Sequence, residues 1–189
     1  MRTHRCTGLL VIALTGPLAC ADPSAPTPRH VAPSVAMSRM EGPRATATVQ
    51  IEDQCDPTTF NAIIGPGTCV GNGTVTFQAF VAELRATHSA AAWRNAPAEV
   101  LMNLGETLMA PNVGGEFHTF TEVANFGGGL VPFLNDVTRL ETPAPECFAL
   151  APEDFIPPGG AFSEVTDEVG IEKYQCCIHP WMRAVIRIR

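Results

Sequence analysis

The chain has 189 residues and a formal net charge of −7, and only 16% of its residues are charged. This length suits one domain with a proper core and is short for two ordinary domains. An acidic chain argues against nucleic acid or an anionic lipid surface as partner, since both repel negative charge. The 16 glycines and 17 prolines interrupt regular structure often, which favours short strands and loops over long helices.

The N-terminus predicts export from the cytoplasm. Arg2 and Arg5 precede an apolar run over residues 8–14 and then small residues, which is the form of a signal peptide covering residues 1–20. The end of this segment, Leu18-Ala19-Cys20, resembles a bacterial lipobox, although ordinary signal cleavage also fits Ala19-Cys20-Ala21. We favour a lipoprotein whose only membrane contact is a lipid anchor at Cys20, because the apolar run is too short for a transmembrane helix.

Removal of residues 1–20 takes away two arginines and no acid, so the mature charge becomes −9. Residues 21–45 are rich in Ala, Pro and Ser without a sustained period, as expected of a flexible tether. Residues 46–189 are predicted to form the folded domain. We expect an extracytoplasmic protein, in the periplasm or the cell envelope.

The folded part begins with a predicted strand over residues 46–52, where Thr, Val and Ile alternate with smaller or polar residues. Cys55 and Cys69 flank a turn-rich stretch and are predicted to form a disulfide. The segment 74–87 has apolar residues recurring at intervals of three and four, which predicts an amphipathic helix that serves core packing: Phe77, Phe80, Val81 and Leu84.

After Trp93 the apolar patterns shorten to strand length and are separated by glycine and proline breaks. Six strands are predicted, over residues 99–104, 107–110, 116–123, 162–167, 171–176 and 183–189. Several short strands punctuated in this way describe an all-β Greek-key β-sandwich, here with one inserted amphipathic helix.

Cysteine usage predicts one thiol kept free. Five of the seven cysteines fall in the folded part, and an odd number in an oxidising compartment suggests two disulfides and one thiol with another role. Side chains alternate along a strand, so Cys176 and Cys177 should point to opposite sides. Cys177 can then pair with Cys147, which leaves Cys176 free.

A C-x-x-H-x-x-M array follows the strand at 171–176, with Cys176, His179 and Met182 on one tight loop. A thiolate, an imidazole and a thioether form the soft ligand set that suits copper, and blue copper sites add a second histidine. His30 lies in the tether and His88 ends the helix. His118, in a predicted strand, is therefore the second candidate.

Three other interpretations are weaker. Zinc also binds Cys and His, but structural zinc sites do not use Met. The vicinal cysteines do not match exported thiol oxidoreductases, which use C-x-x-C in a thioredoxin-like fold. We interpret Glu116, Glu122 and Asp136 as solvated surface, since nothing pairs them with a nucleophile or base. Pro180 and Trp181 are expected to pack beside the metal and exclude water.

Residues 98–189 resemble the cupredoxins, and in particular the blue copper proteins plastocyanin and amicyanin. The Cys-x-x-His-Pro-aromatic-Met loop has amicyanin-like spacing, Leu104-Gly105-Glu106-Thr107 resembles the family's Gly-Asp-Thr turn, and Asn112 and His118-Thr119 resemble its strand-end Asn and first ligand. The resemblance implies one type 1 copper ion held by His118, Cys176, His179 and Met182. The insertion between Gly127 and Pro158 departs from the family, and we expect a cap on the metal, a partner surface or a stapled flap.

The resemblance implies one-electron transfer, by a carrier rather than an enzyme, with a redox protein as partner. The identity of that partner is open, and a basic one would suit the acidic surface. A copper-buffering or copper-delivery module using the same four ligands is the main alternative. A metal-free structural domain on the same scaffold is the third hypothesis.

Overall fold

The structure, a computed structural model, describes residues 45–189. The predicted signal peptide, Cys20 and all of the tether except Ala45 lie outside the described residues. Within the described part, no helix is both long and apolar enough to cross a membrane.

The described chain contains nine short strands in three sheets. Four of them form the sheet β4-β9-β8-β6, three form β1-β5-β7, and β2 pairs with β3. Their bounds are β1 Thr46–Thr48, β2 Gln50–Glu52, β3 Arg94–Ala96, β4 Glu99–Met102, β5 Thr107–Pro111, β6 Thr121–Glu122, β7 Ala161–Val165, β8 Gly170–Gln175 and β9 Arg183–Ile188.

The buried residues of the sheets pack into one core. Phe162 of β7 lies 5.8 Å from Tyr174 of β8, ring centre to ring centre, and Phe120 stacks on Tyr174 at 4.6 Å. β5 and β9 alternate buried and partly exposed residues along most of their length, as strands with one face on a core do. β1 pairs in parallel with β5, and β4 pairs in parallel with β9. The other pairs are antiparallel, and β8 and β9 form a hairpin. The predicted Greek-key β-sandwich is confirmed.

The first predicted strand is interrupted at Val49. Its N–H donates to the carbonyl of Met109, so the chain leaves β1 still beside β5. β2 then pairs antiparallel with β3, a strand that the sequence did not predict. Val49 and Ile51 are both fully buried, and this alternation carries the chain toward Asp53.

The predicted helix is confirmed as α2, Phe77–Thr87. It begins at Thr76, whose hydroxyl accepts from the N–H of Ala79, and ends at His88, which adopts the left-handed conformation. Two further α-helices of seven residues each were not predicted, α1 (Pro57–Ile63) and α3 (Pro132–Thr138). Both start with proline at the first turn, a position that proline favours, but they are too short to show a periodic apolar face.

Only residues 121–122 of the predicted strand 116–123 form a strand. His118, Thr119 and Phe120 are buried in succession, which a strand lying on one sheet face does not allow. The backbone of His118 instead exchanges two hydrogen bonds with Ile156. This segment therefore bridges to Ile156 and places three successive side chains in the interior.

The insertion is fastened to the strand that precedes the ligand loop. The disulfide Cys147–Cys177 and the disulfide Cys55–Cys69 are both present, and Cys176 is free, as predicted. The Gln175 amide bonds to the N–H of Gly127 and the carbonyl of Gly128, and the N–H of Leu130 donates to the carbonyl of Cys177. The insertion thus supports both neighbours of Cys176, which matches the stapled flap among the three expectations.

Acidic side chains of β6, β7 and β8 and of the turn after β7 form an acidic cluster: Glu122, Glu164, Asp167, Glu168 and Glu172. Burial and the neighbouring carboxylates raise the pKa values of Glu122 and Glu172. A raised folded-state pKa of an acid means that its ionisation opposes folding. The folded protein is therefore relatively more stable at low pH, where Glu122 and Glu172 are protonated. It loses this stability as the pH rises through their raised pKa values.

We therefore expect Glu122→Gln to raise the melting temperature at pH 7, where the wild-type carboxylate is ionised against its neighbours. The gain should shrink toward zero near pH 4, where both folded and unfolded states bind the proton. Thermal unfolding of both proteins between pH 4 and 8 measures the effect. Glu99→Gln, at an exposed glutamate of β4 outside the acidic cluster, is the control, and a pH-independent gain would contradict the prediction.

Candidate metal centre

Three of the four predicted ligands converge at one end of the sandwich. Cys176 Sγ lies 3.6 Å from His118 Nδ1 and 3.8 Å from His179 Nδ1, and the two imidazole nitrogens are 3.3 Å apart. All three residues are buried, His118 and Cys176 completely. The ligand atoms therefore form a small, nearly equilateral triangle that is closed to solvent.

The fold positions these side chains from two remote segments. Cys176 follows the last residue of β8, and the tight loop between β8 and β9 brings His179 back to it. The N–H of Cys176 donates to the carbonyl of Met182, and the N–H of Met182 donates to the carbonyl of His179, which fixes the loop. His118 comes from the segment that bridges to Ile156 and precedes β6.

Met182, the predicted axial ligand, is 1% exposed and belongs to the same buried loop. Its backbone closes the loop on both sides, so its side chain starts next to the triangle. Its role as fourth ligand stays a prediction.

The surroundings of Cys176 favour its thiolate form. Burial alone would raise the pKa of its thiol, but the hydrogen bonds and charges of His118 and His179 lower it well below its ordinary value. The backbone N–H groups of Thr119 and His179 each lie 3.4 Å from the sulfur and donate to it. These donors stabilise negative charge on sulfur without competing for the centre of the triangle.

A buried carboxylate orients the first imidazole. His118 Nε2 donates to Asp53 Oδ2 at 2.9 Å, which leaves Nδ1 free to face the sulfur. Asp53 also accepts from the N–H groups of Cys55, Gly115 and Glu116 at 2.8 to 3.1 Å. Burial would raise the pKa of Asp53, but the hydrogen bond from His118 and these backbone donors lower it to about 2.

Gly114 is required for this arrangement. A Cβ atom there would lie 2.0 Å from the carboxylate oxygen of Asp53, so no side chain fits. The Gly114-Gly115 break therefore lets the backbone approach Asp53 closely enough to donate.

Glu116 is buried, 4% exposed, and the interpretation of Glu116 as solvated surface was wrong. Its carboxylate accepts a 2.6 Å hydrogen bond from Trp93 Nε1 and lies 3.7 Å from His179 Nε2. Burial raises the pKa of Glu116 even though His179 and Trp93 oppose the shift. Glu122 is exposed, as predicted.

An aromatic wall covers the His179 side of the centre. The ring of Trp181 meets the His179 imidazole edge to face with centroids 5.5 Å apart, and Phe80 of α2 approaches it at 6.5 Å. Pro180 is buried in the same loop. Trp181 therefore packs against His179, while packing of Pro180 and Trp181 beside a bound metal stays a prediction.

The donor set fits a soft, borderline cation such as copper. The centre of a triangle with these edges lies about 2 Å from each corner, which is the length of metal bonds to imidazole and thiolate. Burial opposes charge on His118, yet the hydrogen bonds to Asp53 and Cys176 raise its pKa to about 9. His118 thus favours positive charge on the side of the site where a cation would lie. Two histidines with one cysteine also match the trigonal plane of a blue copper site.

Sequence reasoning missed Asp53, Glu116 and Trp93. The signal for Asp53 was available, because the alternation Val49, Ile51, Asp53 places its side chain on the buried face of the strand. Glu116 likewise stands two residues before His118. Trp93 gave no local signal.

No protein-family model matches the chain, and no curated protein matches it in sequence. Similar solved structures include a purple cupredoxin from Nitrosopumilus maritimus, at 15% identity and a TM-score of 0.42, covering 76% of this chain and 99% of that one. Plastocyanin from Dryopteris crassirhizoma is 12% identical over 76% of this chain and 100% of its own, with a TM-score of 0.39. Amicyanin from Paracoccus versutus is 21% identical over 51% and 73%, with a TM-score of 0.34. The described residues themselves form the all-β sandwich that the sequence predicted.

Proposed function

We propose that the protein carries single electrons through one type 1 copper ion held by His118, Cys176, His179 and Met182. The observation that supports this most directly is the buried triangle of two imidazole nitrogens and one free cysteine sulfur. Bound copper supplies a one-electron couple in such a site.

The surrounding residues serve this role by holding the ligands still. Asp53 fixes the ring of His118, the Thr119 and His179 N–H groups hold the sulfur, and the disulfide at Cys177 anchors the next residue. A cage that changes little between oxidation states lowers the reorganisation that accompanies electron transfer. These residues bind and tune, and we propose no bond-making chemistry, so the protein is a carrier rather than an enzyme.

Burial of the ligands favours electron transfer over copper buffering or delivery. Handing an ion to another protein requires the recipient's ligands to reach it, and all three triangle residues are at most 4% exposed. Electrons cross a few ångströms of packed protein without such access. Rapid reversible reduction by a redox partner supports transfer, whereas release of the ion to an apo-enzyme supports delivery.

We further propose an extracytoplasmic location, with residues 1–20 as signal peptide and residues 21–45 as tether. Two disulfides in the described part support an oxidising compartment. The acidic cluster and the net negative charge would suit a basic redox partner.

The proposed function predicts an intense visible absorption from thiolate-to-copper charge transfer when the protein binds Cu(II). Paramagnetic resonance of the same sample should show the signal of a single copper ion with a covalent thiolate ligand, and both should vanish on reduction and return on oxidation. Zinc-loaded protein is the colourless control. A copper-loaded protein without the absorption would contradict the proposal.

A further inference from the structure

An apolar pocket of about 290 Å³ opens beside His179, outside the ligand triangle. Its walls come from α1, α2, α3 and the loop after β8, and four phenylalanines contribute most of its aromatic surface: Phe60, Phe77, Phe80 and Phe133. Ile64 and Phe133 are about half exposed, so the pocket communicates with solvent. A concave pocket with walls on several sides is better suited to bind a small molecule than to bind the flat surface of another protein.

The pocket contains one charged side chain, Glu116. Among the described residues, Trp93 is the only hydrogen-bond donor to its carboxyl group, although both carboxyl oxygens can accept hydrogen bonds. Glu116 is more than nine-tenths buried, so little water reaches the remaining acceptor positions. The carboxyl group of Glu116 therefore keeps acceptor capacity that a ligand with a hydrogen-bond donor can use.

We propose that this pocket binds a small aromatic molecule with one hydrogen-bond donor, such as a phenolic O–H or an aromatic N–H, directed at Glu116. The phenylalanine rings supply faces and edges for aromatic packing. An apolar cavity of about 150 Å³ holds one benzene molecule, so this pocket has room for a two-ring compound. Binding places that compound against the His179 imidazole but requires no metal, so it stands or falls separately from the copper function.

The test uses 2-naphthol, naphthalene and 2-naphthoate as probes, titrated into metal-free and Cu(I)-loaded protein and followed by NMR. We expect saturable binding of 2-naphthol to both forms, at least about tenfold tighter than naphthalene because of the hydrogen bond to Glu116. 2-Naphthoate should bind more weakly than 2-naphthol, because the apolar walls would leave its carboxylate without enough hydrogen-bond donors. Glu116→Gln keeps the side-chain shape and should reduce the preference for 2-naphthol over naphthalene.

A matched pair of variants locates the site. Ile64→Trp places an indole at the mouth of the pocket and should weaken 2-naphthol binding about tenfold, whereas Ile63→Trp, at the neighbouring residue that does not line this pocket, should leave it unchanged. Intermolecular contacts between 2-naphthol and the methyl groups of Val131, Leu134 and Ile178 report the site directly in the unmodified protein. Equal binding of all three probes, contacts elsewhere, or absence of saturable binding overturns the proposal.

Discussion

Cys176→Ser should abolish the visible absorption of the copper-loaded protein and lower its copper affinity by at least ~100-fold, because a neutral hydroxyl replaces the only soft anionic ligand of the triangle. Cys176 is the one cysteine without a disulfide among the described residues. Its sulfur lies within 3.8 Å of both ligand nitrogens and accepts two backbone hydrogen bonds. No neighbouring group can take its place.

Absorption spectra and competition with a copper chelator of known affinity measure the two effects. Circular dichroism should show an unchanged sandwich, since serine is smaller than cysteine and keeps a hydrogen-bond acceptor. His88→Gln is the matched control, because His88 caps α2 and bonds to α3 away from the triangle. If Cys176→Ser kept its colour and affinity, another group would be binding the metal. If neither the unmodified protein nor Cys176→Ser bound copper, the metal-free structural domain would be the better hypothesis.

Asp53→Asn should destabilise the metal-free protein by about 2–4 kcal/mol, because breaking a buried charged hydrogen-bond network leaves its partners unpaired. The Asp53 carboxylate accepts from His118 and from three backbone N–H groups. An asparagine side chain offers one oxygen, and its NH₂ group would face donors. The His118 ring would also lose the partner that sets its tautomer, so copper affinity should fall by ~10–100-fold.

Urea unfolding at pH 7 measures the change in the free energy of unfolding, and chelator competition measures the change in copper affinity. Glu52→Gln is the control at the adjacent position, where the carboxylate pairs with Arg94 near the surface. Exposed pairs of that kind contribute about 0–1 kcal/mol, so the control should leave copper affinity unchanged. Equal effects of the two substitutions would show that Asp53 has no particular role in holding His118.

Much of the fold and of the candidate site could be predicted because local patterns determine it. The alternation of β8 separates Cys176 from Cys177, and the structure has the expected disulfide at Cys177 and the free thiol at Cys176. The spacing of Cys176, His179 and Met182 places them on one tight loop, which needs no knowledge of distant residues. The three- and four-residue spacing in α2 is equally local.

The parts that escaped prediction depend on contacts between remote segments. The spacing of Glu116 from His118 places both residues on one side of the chain, but the contacts of Glu116 with Trp93 and His179 join remote segments. The segment around His118 alternates like a strand, but its hydrogen bonds go to Ile156 and to the Cys176 sulfur instead of to a neighbouring strand. α1 and α3 are stabilised by packing rather than by their own short sequences.

The position of two adjacent cysteines on opposite sides of the chain has a consequence for how the protein matures. Oxidation joins Cys147 to Cys177 in the small buried cluster beneath the flap, while the neighbouring sulfur faces the histidines. A cross-link from Cys147 to Cys176 would instead consume the thiol that faces the two histidines. The disulfide that closes the flap therefore also leaves Cys176 free for the role that we propose for it.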